Sequence, residues 1–479
     1  AIVTKGIDPA LPFYEQRRGW AVSRHNWNQV CNGGIGIGAL AVADREPAKS
    51  AVVLRGVLES LPLATGSYAP DGGWAEGPGY WHYATRYNVY LLAALQTALG
   101  TDFGLSAASG FDRAGHFRVY FSGPTNRTFN YADAGDGVGT AAEMFWLASR
   151  FSQPVYAWHQ RQRLAGGAPD PLDLIWYESA SHSPEQAGWP LDAAFRGVNV
   201  AFLRSSWSDP DAIFVGVKGG DNKANHSQRD LGTFVLDAGG VRWATDLGPD
   251  DYNLPQYFGK LRWTYYRMRT ESHNTVLIDS ENQDPKAEAP IVAFDSQPEA
   301  ARVEIDLRRA YPGKLRNWRR TVELAGRKQV LLRDRIDAVA PVEALWSMVT
   351  EAEVALDGRQ ARLTRAGRSL TATIQSPAAA RFDVVSTTPP PPQNQNPGTR
   401  KLVVRLPGKT AHVELVVSLR PEPPANLAAS RPEADPVITF NDDGAWSWFQ
   451  DERAIVHAGK VLIGSVAAGA RDPNRRGDI

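Results

Sequence analysis

A change of hydrophobic period near Trp189-Pro190 constrains this chain more than any other feature of its sequence. Before it, apolar residues fall in helical blocks: Ile35 to Ala43, Ala51 to Leu61, Tyr83 to Leu99 and Gly139 to Phe151. Gly/Pro-rich loops such as Ala69-Pro-Asp-Gly-Gly73 and Ser122-Gly-Pro124 separate them, a pattern of helical hairpins. After it come short alternating runs, Val198 to Arg204, Ala212 to Val217, Gly232 to Asp237, Val241 to Asp246, Thr275 to Ile278, Arg302 to Asp306, Arg319 to Leu324 and Gln329 to Ile336. Such runs with turn signals between them predict antiparallel sheets packed face to face. Helices first and strands second means segregated layers, an α+β multidomain chain and not a parallel α/β fold.

A chain of 479 residues exceeds what one core supports, since cores stop growing at roughly 250 to 300 residues. The expected division is a helical domain over 1–190, a sandwich over 191–345, a smaller β-region over 346–425, and a linker with a terminal unit over 426–479. The proline run Thr387-Thr-Pro-Pro-Pro-Pro392 cannot donate to a ladder and is expected as a surface loop. Lysine plus arginine balances aspartate plus glutamate at 52 each, so no global field recruits nucleic acid or an anionic membrane. Attraction for an anionic partner must come from a local cluster. Cys31 is the sole cysteine, which excludes an internal disulfide framework. No stretch approaches the ~20 apolar residues of a helical membrane span. Ala1 to Asp8 has no signal-peptide pattern, so for an exported protein the leader is expected to be removed before residue 1. Fifteen tryptophans beside 15 tyrosines suit sugar faces, although most are expected in the core.

Four local clusters carry possible chemistry. Arg24-His-Asn-Trp-Asn28 with Gln29-Val-Cys-Asn-Gly-Gly34 heads a helical block, where a polar cap is the plainer explanation. Asp71-Gly-Gly-Trp-Ala-Glu-Gly-Pro-Gly-Tyr-Trp-His-Tyr83 is flexible enough to present Tyr80, Trp81 and Tyr83 on the rim of a helical array. Gly219-Gly-Asp-Asn-Lys-Ala-Asn-His-Ser-Gln-Arg-Asp230 places His226 beside Asn225 at the mouth of a strand, a setting for acid/base work. The fourth, from Tyr252 through Arg262-Trp-Thr-Tyr-Tyr-Arg-Met-Arg-Thr-Glu-Ser-His-Asn274, combines guanidinium forks that suit carboxylates or sulfates with rings that suit sugars. An edge strand with a solvated charged face is the alternative for it.

In these residues the chain resembles the heparinase II/III family of polysaccharide lyases. The matches run in the family's order from His25-Asn-Trp-Asn-Gln-Val-Cys-Asn-Gly-Gly34 and Glu76-Gly-Pro-Gly-Tyr80 to Asn225-His226 with Asp230-Leu-Gly-Thr-Phe-Val-Leu236. They continue with Val241-Arg-Trp-Ala244, Asp246-Leu-Gly248 and Arg269-Thr-Glu-Ser-His-Asn-Thr275. The resemblance implies an α/α toroid followed by an antiparallel β-sandwich, with the site in the cleft between them. The toroid is expected to be short at its front, because the family normally has more helices before the His25 motif. By position, Asn26 or His25, Tyr80 and His226 match the family's catalytic groups. Asn28, Trp81, Asn225, Tyr257, Arg267 and Arg269 are expected to grip an acidic polysaccharide or oligosaccharide. Asp246 and His273 match two ligands of a structural zinc, with Gln228 where the third is normally histidine. A neutral amide oxygen is a weaker donor than imidazole, so zinc affinity is expected to fall or the site to be empty.

The activity implied is β-elimination on a uronic-acid glycan, in a periplasmic or secreted protein of undetermined oligomeric state. Two rival readings stay open: a glycan-binding protein that has lost catalysis, and a glycoside hydrolase recruiting two of Asp71, Glu76 and Asp230. The tail, Phe440-Asn-Asp-Asp-Gly-Ala-Trp-Ser-Trp-Phe-Gln-Asp451 and Gly459-Lys-Val-Leu-Ile-Gly-Ser465, resembles the opening of a BNR-type β-propeller. It supplies about one blade where closure takes 4 to 8.

Overall fold

The computed structural model describes residues 1–423, 454–457 and 460–463. The chain divides into two compact units, Ala1–Pro423 and Pro424–Ile479. In the second, Ala454–His457 pairs antiparallel with Lys460–Ile463; the Phe440 to Asp451 motif lies outside the described residues.

The first unit begins with the helices of the α/α toroid. Its helices are α1 (Asp8–Glu15), α2 (Asn26–Ala41), α3 (Pro47–Thr65), α4 (Gly77–Leu99), α5 (Ala114–Phe121), α6 (Glu143–Phe151), α7 (Pro154–Leu164) and the short α8 (Pro171–Ile175). Prolines open α3, α4 and α7 in their first turns, where no backbone N–H is needed. Gly100 closes α4 with φ +72° and returns its N–H to the Gln96 carbonyl. α2 packs against both α3 and α4. At Gly33 a Cβ would stand 2.7 Å from the Tyr87 carbonyl oxygen, so a larger residue would push α4 away. α5 and α7 lie outside the helical blocks expected from the sequence.

Five strands then form an antiparallel meander, Ala193–Phe195, Val200–Arg204, Phe214–Lys218, Phe234–Ala238 and Val241–Ala244, neighbours in chain order. This sheet joins the two halves of the molecule. Val200, Phe202, Phe214 and Val235 pack into the helical core, whereas Ala201, Leu203, Val215, Val217 and Leu236 pack into the sandwich core. Burial on both faces departs from the alternation expected: Val200–Arg204, Phe214–Lys218 and Phe234–Ala238 are buried at every position.

The sandwich is completed by an eight-stranded and a four-stranded sheet. The eight-stranded sheet runs, edge to edge, Glu353–Asp357, Gln360–Arg365, Arg368–Ser376, Thr410–Pro421, Gln329–Val342, Leu315–Ala325, Ala301–Asp306 and Ile291–Ser296. The four-stranded one runs Arg381–Ser386, Arg400–Arg405, Ala344–Thr350 and Val276–Ile278. Residues 346–425 therefore do not make the separate β-region expected: their described strands pair with earlier ones, and Met348, Leu363, Leu402 and Val417 share one core with Val303, Val322 and Leu332. No helix among the described residues is long and apolar enough to cross a membrane.

Candidate active site

The site is built around Glu76, the residue that precedes α4. Gly77, at φ +85°, makes the turn that places it, and a Cβ there would run into the Tyr131 carbonyl oxygen. The Glu76 carboxylate is buried and accepts from the Asn26 backbone N–H (2.8 Å), the Asn26 amide (2.6 Å) and the Asn225 amide (2.7 Å). Asn26 starts α2, and its N–H is one of the first-turn donors that a helix leaves unsatisfied; a carboxylate 50 positions away caps it and complements the helix dipole.

Tyr80 stands in the first turn of α4 and His226 on the loop between Gly220–Asp221 and Phe234–Ala238. Their rings stack with centroids 3.8 Å apart and planes 15° off parallel. The Tyr80 and Tyr252 hydroxyls meet at 2.9 Å. Burial raises the Tyr80 phenol above its ordinary value despite the opposing Tyr252 hydrogen bond, so it stays protonated at neutral pH. His226 adopts φ +59°, a left-handed conformation that an imidazole-bearing residue holds only when its surroundings impose it. Its Nδ1 lies 3.2 Å from Asp133 Oδ2, and its Nε2 lies 4.0 Å from Glu76 Oε1. Asp133, on the loop between α5 and α6, is also held by Arg262 at 2.9 and 3.0 Å and by the Gln228 amide at 3.0 Å. Burial alone would raise this carboxyl, but His226, Arg262 and Gln228 hold it below the carboxylate range. Ionised Asp133 can only accept, so His226 Nδ1 carries the proton and Nε2 keeps its lone pair.

His25 borders a cavity of about 390 Å³ that Arg24, Trp74, Glu76, Lys223 and Asn225 also line. Burial lowers its pKa, with Glu76 opposing this and His226 adding to it. Exposed aromatic side chains stand nearby in sequence or space, Trp27 beside Asn26 and Phe258 edge-on to His226.

Of the residues proposed from sequence, Asn26, Tyr80, Asn225 and His226 meet around Glu76, and His25 borders them. The other expected grips do not face the cleft. Asn28 is buried on Ser60, and Trp81 is fully buried against Phe121 with Arg118 over its ring. Tyr257 is buried beneath Arg262, its hydroxyl on the Met268 sulfur. Arg267 is spent on the Leu247 and Pro249 carbonyls and Asn396, and Arg269 pairs with Glu271. Arg262, Asp133 and Tyr252 complete the site. Arg262 and Tyr252 lie in the fourth cluster, but nothing in the sequence around Asp133 announces it.

The zinc set fares differently. His273 Nδ1 lies 2.9 Å from Asp246 Oδ2, and Asp246 Oδ1 accepts from the Gly248 N–H. Burial would lower the His273 pKa, but the Asp246 carboxylate beside it raises it. Gln228 turns its amide nitrogen to Ala132 and Asp133. His273 Nε2 and Gln228 Oε1 are left buried without partners, yet one imidazole and one amide oxygen are a poor set for zinc. Among the described residues no group of three or more His, Cys, Asp or Glu side chains is placed to hold a metal. As arranged, these residues do not fit the zinc that the resemblance implies.

Fold and site together define a toroid–sandwich protein with a phenol, an imidazole and amides gathered at one cleft. Residues 193–429 match the family described as Heparinase II/III-like, C-terminal, so this part of the chain carries a heparinase II/III-like domain. It is similar in fold to the heparan sulfate lyase HepC of Pedobacter heparinus, at 16% identity and a TM-score of 0.66, over 86% of this chain and 62% of that one. It is likewise similar to a heparinase III, at 15% identity and a TM-score of 0.65, over 82% of this chain and 61% of that one. The chain thus spans less than two thirds of the length of either. No curated protein matches it in sequence.

Proposed function

We propose that the protein is a polysaccharide lyase that cleaves a uronic-acid glycan by β-elimination, leaving an unsaturated uronate end. The stacking of Tyr80 on His226 at 3.8 Å carries this reading, because it puts a protonated phenol and an imidazole with a free Nε2 against the same small volume. A proton α to a carboxylate is too weakly acidic to leave unaided, so the charge that develops must be met by donors. The Asn26 and Asn225 amides each keep an N–H beyond the one given to Glu76, and these are aimed by that carboxylate. His226 Nε2 takes the C5 proton while Asp133 steadies the imidazolium that forms. Tyr80 then protonates the departing O4. No step passes through a metal.

The structurally similar HepC is a heparan sulfate lyase, which agrees with an anionic substrate and with Arg24 and Lys223 at the cavity wall. A hydrolase on Glu76 and Asp133 is disfavoured, since each carboxylate is sealed by N–H donors and neither is free to protonate a leaving group. Asp71 is spent on the Arg196 and Gly197 N–H groups, and Asp230 is paired with buried Lys218. The test is far-ultraviolet absorbance of the unsaturated product across a panel of acidic polysaccharides. Tyr80→Phe should lose about 10²- to 10⁴-fold in rate while folding normally; no absorbance on any polymer, or full activity without the hydroxyl, overturns the proposal.

A further inference from the structure

Away from the cleft, where α5 and α7 meet the five-stranded sheet, lies a second cavity of about 510 Å³. Arg163, Arg204 and His159 line it, together with Trp158 and Trp207. Arg204 is 4% exposed and His159 3%, and a guanidinium at that depth is ordinarily paired. Here the neighbouring acids are already committed. Asp192, which accepts the Arg204 backbone N–H, is gripped through both oxygens by Arg327 at 2.8 Å. Asp237 is held by Arg242 and Thr125. Arg204 gives one nitrogen to the Tyr120 and Ser122 carbonyls, and Arg163 gives one to Asn126. Four nitrogens remain buried without a partner: Nε of Arg163, Nε of Arg204, Nε1 of Trp207 and Nδ1 of His159. Asp209 also lines the cavity, so two fixed positive charges face one carboxylate. The Arg204 guanidinium lies 3.8 Å over the Trp207 ring, which fixes its plane.

Three of the four partnerless nitrogens are N–H donors, the Nε of Arg163 and of Arg204 and the Nε1 of Trp207, whereas His159 gives its Nε2 proton to Ser122 and keeps a lone pair on Nδ1. Three unspent donors around a cationic hollow are the complement of an oxyanion. We propose that this cavity is a second binding site, taking a sulfate or carboxylate group, with the half-buried Trp158 and Trp207 favouring one carried on a sugar over a free anion. On an acidic polymer such a site anchors chain that the cleft is not processing. The binding does not depend on what the cleft does to the glycan.

Calorimetry on the Tyr80→Phe protein separates the two sources, using a sulfated uronate-containing disaccharide and, at constant ionic strength, inorganic sulfate. The disaccharide is expected to bind at two sites, and Arg163→Ala to weaken one of them by about tenfold or more. Arg163 is the less buried arginine, so this variant carries the test if Arg204→Met fails to fold. In the protein with Tyr80 intact, Arg163→Ala should leave the rate on short substrates unchanged. Sulfate binding that Arg163→Ala abolishes, without a second disaccharide, supports the oxyanion site and assigns it to free anions. Binding of neither probe, or binding indifferent to Arg163, overturns the proposal.

Discussion

On the helical wall of the cleft, Asn26 and Tyr80 stand in the first turns of α2 and α4, whereas on the sheet wall His226 rides a loop in a left-handed conformation. The helices place their groups by backbone hydrogen bonds that form whatever the side chains do. The loop has no such ladder; its imidazole is held by Asp133, and Arg262 grips that carboxylate and the His226 carbonyl, both from other segments. One wall is positioned by secondary structure and the other by a buried polar clamp. Loss of a group on the first should therefore cost chemistry alone, and loss of a clamp residue on the second should cost chemistry and stability together.

Asp133→Asn is the strongest way to break that contrast. It leaves the buried Arg262 guanidinium without its counter-charge and lets His226 take the wrong tautomer. Removing one partner of a buried pair costs about 3 kcal/mol, and misdirecting a general base costs roughly 10²-fold in turnover. Denaturant unfolding and initial rates should show both losses in this variant and only the second in Tyr80→Phe. An Asp133→Asn protein as stable as its parent would mean that the loop holds His226 without the clamp.

The same contrast decides what could be read before any coordinates. The helices α2, α3 and α4 and four strands of the five-stranded sheet, all but Ala193–Phe195, follow patterns that depend on local sequence, so they are legible. Tyr80 and His226 are legible because they sit in motifs. Asp133 is not, since its importance comes from two partners 93 and 129 positions away. Trp81 and Asn28 fail in the opposite sense: they lie in the same motifs as Tyr80 and Asn26, but the helical turn points them into the core. Glu76 was legible as a carboxylate and not as a cap, because the helix it caps begins 50 positions earlier.

Glu76 spans the contrast, since it binds an amide from each wall. Glu76→Gln keeps one oxygen for the two amides but sets a donor against the Asn26 N–H. The loss should be about 2 kcal/mol of stability, and about tenfold in kcat with KM changed less, because the amides would be present but poorly aimed. Equal losses in kcat and stability to those of Asp133→Asn would make Glu76 part of the clamp and not a bridge between walls.

The smallest effect lies behind the sheet wall. Lys401, on the strand Arg400–Arg405, donates at 2.6 Å to the Glu271 carbonyl and so backs the segment that carries Arg262. Burial lowers its pKa to about 8, with Arg269 and Arg405 adding to the burial and Glu271 opposing it. The unfolded chain, with an ordinary lysine near 10.4, binds more protons than the folded one between those values, so this residue's contribution to stability is full above the unfolded value and is lost as pH falls to about 8. Between about pH 7.5 and about pH 9 the gain should be ~1 kcal/mol. Lys401→Met should flatten that part of the stability profile, while the His226 clamp keeps its rate contribution at both values. A profile unchanged by Lys401→Met would place the support of the Arg262 segment in its backbone alone, and would bring the sheet wall closer to the helical one than the clamp suggests.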